Sequence, residues 1–128
     1  MKKRILKSLQ VFYGLALVVF GLNGFFHFLP IPEKQGFALE FMTTLHTAGY
    51  IFPVVAGIMC VSGILLLMNS AVAFALILML PISFNIFLFH LLHDQAALVV
   101  AYALFALNMF HIFRNAKQYR TIFKKEVA

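Results

Sequence analysis

The sequence predicts an all-α polytopic membrane protein, a four-transmembrane-helix bundle forming one domain over residues 1–128, and three observations carry that prediction. Hydrophobic residues make up 63% of the 128 and charged residues only 11%, a balance outside the range of a soluble domain of this size. Four apolar stretches, at about 9–29, 49–68, 71–92 and 96–113, approach the roughly 20 residues that a helix needs to cross a bilayer. The basic residues are gathered at the two ends: Lys2, Lys3, Arg4 and Lys7 at one, Arg114, Lys117, Arg120, Lys124 and Lys125 at the other, with Lys34 alone between them. Four spans bring both ends to one side, and Lys and Arg are retained on the cytoplasmic side, so both termini are expected in the cytoplasm.

The first stretch begins basic and then runs apolar from Leu9 to Leu29. At about 21 residues it exceeds the roughly 7–15 of a secretory signal core, and no small-x-small cleavage site follows, so a retained first span is expected. Gly14, Gly21 and Gly24 fall within about 80° of one another on a helix, an edge that lets a neighbour approach closely. Gly57 and Gly63 offer the second span the same device. "LPIPEKQG", with Pro30, Pro32 and Gly36, stops the first helix. In "FALEFMTTLHTAGY", Phe37, Phe41, Leu45 and Ala48 recur at helical spacing beside Glu40, Thr43, Thr44 and Thr47. That pattern predicts a short amphipathic helix at the outer interface between spans 1 and 2.

Asn69 and Ser70 alone join the second and third spans, which must then be antiparallel neighbours, with Asn69 ending one helix and Ser70 capping the next. Pro81 is expected to bend the third span by removing a backbone hydrogen bond. After the fourth span, residues 114–128 form a basic cytoplasmic tail. Its "RNAKQYRTIFKKE" reads equally as a solvated flank or as an amphipathic segment on the inner leaflet, with Tyr119, Ile122 and Phe123 dipping in.

The same inventory excludes several functions. The net charge of +6 is confined to the ends in the manner of membrane orientation, which argues against nucleic acid as a partner. The single Cys60 excludes an internal disulfide and any CxxC pair. The chain has no Gly-rich phosphate loop, nucleophile elbow or HExxH motif.

Chemistry-bearing residues are few, and alternating span direction sorts them by depth. His27, Glu40, His46, His90, His93 and Asp94 all fall at the outer end, with Asn23 and Asn85 one or two turns deeper. Only Asn108 and His111 lie toward the cytoplasmic end of the fourth span. Ionisable groups in a span are expensive and usually face an interior, a cavity or each other, so this convergence is the main functional signal. Asn23 and His27 share a helix face, as do His90 and Asp94. A carboxylate beside an imidazole fixes its tautomer and raises its basicity.

Three readings of the outer cluster compete. A quinone needs an imidazole or amide for its carbonyl and a carboxylate for proton exchange in an apolar cleft, which Asn23, His27, Asn85 and His90 with Asp94 would supply. A metal would draw on His27, His46, His90 and His93, and a bis-histidine haem on two of them, but no HxxxH pair supports either. In the third reading the amides are interhelical glue and the histidines plain interfacial polarity. No catalytic residue is assigned.

"FGLNGFFHFLP", "GILLLM" and "LPISFNIFLFH" together resemble the DoxX family of small four-helix bacterial membrane proteins, over about residues 5–115. The resemblance implies a bundle in the bacterial cytoplasmic membrane that acts beside partner subunits or as a homo-oligomer. It also implies sulfur, quinone or oxidative-stress redox chemistry, as in a thiosulfate:quinone oxidoreductase subunit. Met59 stands where much of that family carries an acidic residue. The expected function is thus the membrane subunit of a redox-linked complex, with a non-catalytic scaffold as the alternative.

Overall fold

In hydrocarbon no water is present to satisfy backbone N–H and C=O groups, so apolar stretches of this length fold as helices. The computed structural model describes residues 1–30 and 33–124; Pro32 and the basic Lys125 lie outside the described residues. It contains α1 (Lys2–Phe26), α2 (Gly36–Ala48), α3 (Ile51–Leu67), α4 (Val72–His93), a single 3-10 turn (Gln95–Ala97), α5 (Leu98–Arg114) and α6 (Ala116–Tyr119), with no strand among the described residues. Three helical segments are long and apolar enough to cross a membrane: Lys2–Phe26, Val72–His93 and Gln95–Arg114. A fourth qualifies only if α2 and α3, which meet at 87°, count as one broken span. The 17 residues of α3 extend about 25 Å, slightly less than a typical hydrocarbon core of about 30 Å.

The four long helices pack as a ring in which α1 meets α3, α3 meets α4, α4 meets α5 and α5 returns to α1. The tightest of these seams, α1 on α3, is built on absent side chains. A Cβ on Gly14 would stand 3.0 Å from the Gly63 carbonyl, and one on Gly63 would stand 2.7 Å from the Gly14 carbonyl. Farther along, a Cβ on Gly21 would meet Cys60 Sγ at 2.7 Å, and one on Gly24 would meet Ala56 Cβ at 2.8 Å. The glycine edge expected on α1 is therefore consumed inside the chain. Gly57 takes no part, having nothing within 4 Å of its missing Cβ.

The α3–α4 connection forms as expected at its first half only. Asn69 enters the left-handed region at φ 53°, and its N–H and that of Ser70 bond back to the Leu66 and Leu65 carbonyls, closing a Schellman turn. Ser70 does not cap α4; the flanking position is Ala71, with no side-chain cap. Pro81 lies inside α4, where Ser83 and Asn85 bond back to the carbonyls of Leu80 and Pro81.

Gln10 donates to the Leu66 carbonyl and to Asn69 Oδ1, and Arg114 reaches the Leu6 carbonyl. These bonds put the start of α1, the α3–α4 turn and the end of α5 together at what we term the termini end. The opposite, loop end carries α2, the α1–α2 connection and the α4–α5 junction. The continuous apolar core of Tyr13, Leu17, Met59, Leu66, Ala75, Leu76 and Met79 sits in the half nearer the termini.

Candidate functional site

At the loop end the structure assembles a compact ionisable cluster around Asp94, just past the end of α4. Lys34 donates to Asp94 Oδ2, and His90 Nδ1 lies 3.3 Å from the same oxygen. His90 Nδ1 also lies 3.2 Å from the Asp94 main-chain carbonyl, which can only accept, so this nitrogen carries the proton and Nε2 is left as the basic site. The three side chains are largely shielded, at 12%, 17% and 16% exposure for Lys34, His90 and Asp94. The Lys34 ammonium donating to Asp94 holds its carboxyl below the ordinary carboxylate value. Burial opposes this, while the charge of Lys34 and the nearby His90 add to it.

Aromatic rings wall the cluster, and the sequence pattern of α2 explains why. The face of α2 carrying Phe37 and Phe41 lies on the end of α4, with Phe37 4.4 Å from the His93 ring and Phe41 stacked 5.3 Å from Phe89. Phe89 meets His90 edge-on at 5.2 Å, and the Lys34 ammonium sits 5.6 Å from its centroid. An ionised carboxylate, a cation and an oriented imidazole against aromatic rings can take up and release protons at a membrane edge.

The other expected site residues are placed differently. Asn23 is buried, and its Oδ1 accepts the Leu29 N–H at 2.7 Å while its carbonyl accepts the His27 N–H, ending α1 at Phe26. His27 takes the left-handed conformation of a helix terminator, φ 52°, and its side chain is exposed. Asn85 is exposed and donates to the Pro81 carbonyl of its own helix. His46 is exposed on α2, its ring 6.3 Å from that of Phe52. No group of three or more His, Cys, Asp or Glu able to hold a metal ion occurs among the described residues, so His27, His46, His90 and His93 are not gathered into one. The structure thus brings together His90, His93 and Asp94, adds Lys34 to them, and gives Asn23 and Asn85 local backbone partners.

A second polar group lies where the sequence reading placed little weight, in the core nearer the termini. Asn108 is fully buried; its Nδ2 donates to the Leu76 carbonyl at 3.2 Å. The Ser83 hydroxyl lies 3.1 Å from Asn108 Oδ1 and 3.2 Å from the Leu80 carbonyl, and gives its one proton to either. His111, also fully buried, has Nδ1 2.8 Å from the Leu107 carbonyl and stacks on Tyr13 with centroids 5.9 Å apart. Tyr13 Oη, Ser62 Oγ and His111 Nε2 have no hydrogen-bond partner among the described residues. The signal for this group was legible: Gln10, Tyr13, Leu17 and Gly21 recur on one helix face, as do Met59, Ser62, Gly63 and Leu66. A polar residue on a stripe of small residues points inward. No family model, curated protein or solved structure matches the chain, so its description rests on this geometry.

Proposed function

We propose that the chain is a DoxX-like four-span subunit of a redox-linked complex in the bacterial cytoplasmic membrane, with both termini cytoplasmic. The observation that carries this reading is the Lys34–Asp94–His90 cluster against Phe41 and Phe89 at the loop end. Of the residues expected to hold a quinone, His90 fits, whereas Asn23 Oδ1 and Asn85 Nδ2 are engaged by backbone. Lys34 would hold a quinone headgroup by a carbonyl oxygen, with Phe41 and Phe89 along the ring, and His90 Nε2 would accept the hydroxyl proton of the reduced form. Bound there, a quinone would supply two-electron, two-proton redox chemistry. Asp94 fixes the His90 tautomer and balances the Lys34 charge, so the imidazole can exchange a proton without leaving an unpaired ion.

The test is the quinone content of protein isolated gently from its own membrane, with folding followed by circular dichroism. Stoichiometric quinone in the wild type, lost in His90→Ala at unchanged helix content, supports the reading. Equal quinone in both, or none in either, overturns it.

A second reading, a membrane scaffold with no chemistry of its own, is favoured by the local bonding of Asn23 and Asn85, which lets the bundle stand complete without a ligand. It expects His90→Ala to leave the set of co-isolated subunits unchanged.

A further inference from the structure

At the termini end the chain folds back on itself beyond the last long helix. Asn115 Nδ2 donates to the His111 carbonyl at 2.7 Å, closing α5, and Tyr119 Oη donates to the Ala73 carbonyl at 2.7 Å, pinning α6 against the start of α4. Tyr119 is thereby buried, while Phe113 and Phe123 remain 71% and 84% exposed. Two open grooves of about 390 Å³ each flank this elbow. One is lined by Arg114, Lys117, Gln118 and Arg120, and the other by Phe113, Tyr119, Phe123 and Lys124; Phe113 and Arg120 border both.

Among the described residues the charge around the elbow has one sign. Lys2, Lys3, Arg4 and Lys7 lie at the same end, and the acidic residues Glu33, Glu40 and Asp94 all lie at the loop end among the described residues. Neither Lys117 nor Arg120 has a hydrogen-bonding side-chain partner among the described residues, and Arg114 uses only Nη1, on the Leu6 carbonyl. A cationic groove with donors to spare, joined to an exposed aromatic groove at the edge of a membrane-crossing helix, matches a molecule with an anionic head and an apolar tail. Basic clusters at this position beside a membrane span attract anionic headgroups, and Arg and Lys are the usual phosphate donors.

We propose that the α5–α6 elbow is a binding site for an anionic phospholipid, its phosphodiester held by Lys117, Arg120 and Arg114 and an acyl chain lying along Phe113 and Phe123. Apolar surface beside the cationic groove favours the lipid over free phosphate. The inference does not depend on the proposed redox role.

Native mass spectrometry of the full chain in detergent, titrated with phosphatidylglycerol or phosphatidylcholine of identical acyl chains, tests it. Lys117→Gln/Arg120→Gln removes two charges from the groove, and Lys2→Gln/Lys3→Gln removes two from the same end outside it. The expected result is preferential retention of phosphatidylglycerol, reduced about thirtyfold by the groove pair and only slightly by the control pair. Phe113→Ala/Phe123→Ala weakens retention as well, and inorganic phosphate at millimolar concentration does not displace the lipid. Equal retention of the two lipids, or equal loss in the two charge pairs, overturns the site. Displacement by phosphate alone makes it an anion site and overturns the lipid assignment.

Discussion

The two ends of the bundle keep their polar groups in opposite ways. At the loop end Lys34, His90 and Asp94 neutralise one another beneath a partial aromatic wall, and the neighbouring His27, His46 and His93 are exposed. Toward the termini, Tyr13, Ser62, Ser83, Asn108 and His111 are buried almost completely. Charge is tolerated where water is near, whereas the core holds uncharged polar groups, of which Ser83 and Asn108 are satisfied by neighbours and the Tyr13 and Ser62 hydroxyls have no partner among the described residues. The proposed proton exchange therefore belongs to the loop end, and the packing that fixes helix rotation to the termini half. Comparing substitutions at the two ends separates these roles.

The largest effect is expected at the seam on which both ends depend. In Gly63→Ala the new methyl would stand 2.7 Å from the Gly14 carbonyl and 2.9 Å from the Val18 nitrogen, both backbone atoms that can yield only if α1 moves away from α3. A loss of about 3 kcal/mol or more, read as a collapse of the thermal transition in detergent, follows from overpacking against backbone. Gly24→Ala, nearer the loop end, meets mainly Ala56 Cβ at 2.8 Å and should cost less. Gly57→Ala, with open space around it, should be neutral or stabilising by about 0.5–1 kcal/mol. Equal transitions for the Gly63 and Gly57 variants would break the proposed seam.

Next come the two amides. Asn108→Leu removes the bonds to the Leu76 carbonyl and the Ser83 hydroxyl, and should cost about 1–3 kcal/mol. Asn85→Leu removes one bond within its own helix from an exposed position and should leave the transition within about 0.5 kcal/mol of wild type. Tyr13→Phe sharpens the contrast because its sign is reversed. The hydroxyl it removes is buried with no hydrogen-bond partner among the described residues, and the ring that stacks on His111 is kept, so a gain of up to about 1 kcal/mol is expected. A loss on Tyr13→Phe would mean that this hydroxyl has an acceptor in the membrane-embedded protein.

These contrasts also show which features a sequence can display. The third and fourth stretches, about 71–92 and 96–113, coincide closely with Val72–His93 and Gln95–Arg114, because apolar length alone sets a helix in hydrocarbon. The second, about 49–68, meets Ile51–Leu67, and the short amphipathic helix expected before it is Gly36–Ala48; the two are separate helices meeting at 87°, because Gly49 adopts φ 86° and ends α2 before α3 begins. Asn23 illustrates the limit at the site. Spacing places it on a face with His27, but its side chain turns to cap the Leu29 N–H, a local bond that helical periodicity does not encode. His90 and Asp94 were legible as an i,i+4 pair, whereas Lys34 joined them through a contact across 60 positions. Tyr13 and Ser62 are not singled out by polarity, which does not say which way a helix is turned; their shared faces with Gly21 and with Gly63 do.

The smallest effect concerns the Lys34–Asp94 pair and has a defined pH dependence. The folded-state carboxyl of Asp94 is depressed by Lys34, so the contribution is fully present above the unfolded carboxyl's ordinary value and is lost as pH falls through the folded one. Between neutral pH and that value the pair is constant; only stronger acid releases it. Asp94→Asn should therefore weaken the loop end at neutral pH by no more than about 1 kcal/mol, since the pair is near the surface and partly solvated. Hydrogen exchange in residues 33–36 and the last turn of α4 reads this directly, and the termini half, with Tyr13 and Asn108, serves as the internal reference. Faster exchange confined to the loop end, matched in the wild type only below the carboxylate range, is the expected outcome. Exchange that accelerates equally at both ends would mean that Asp94 supports the whole bundle and that the two ends are not independent.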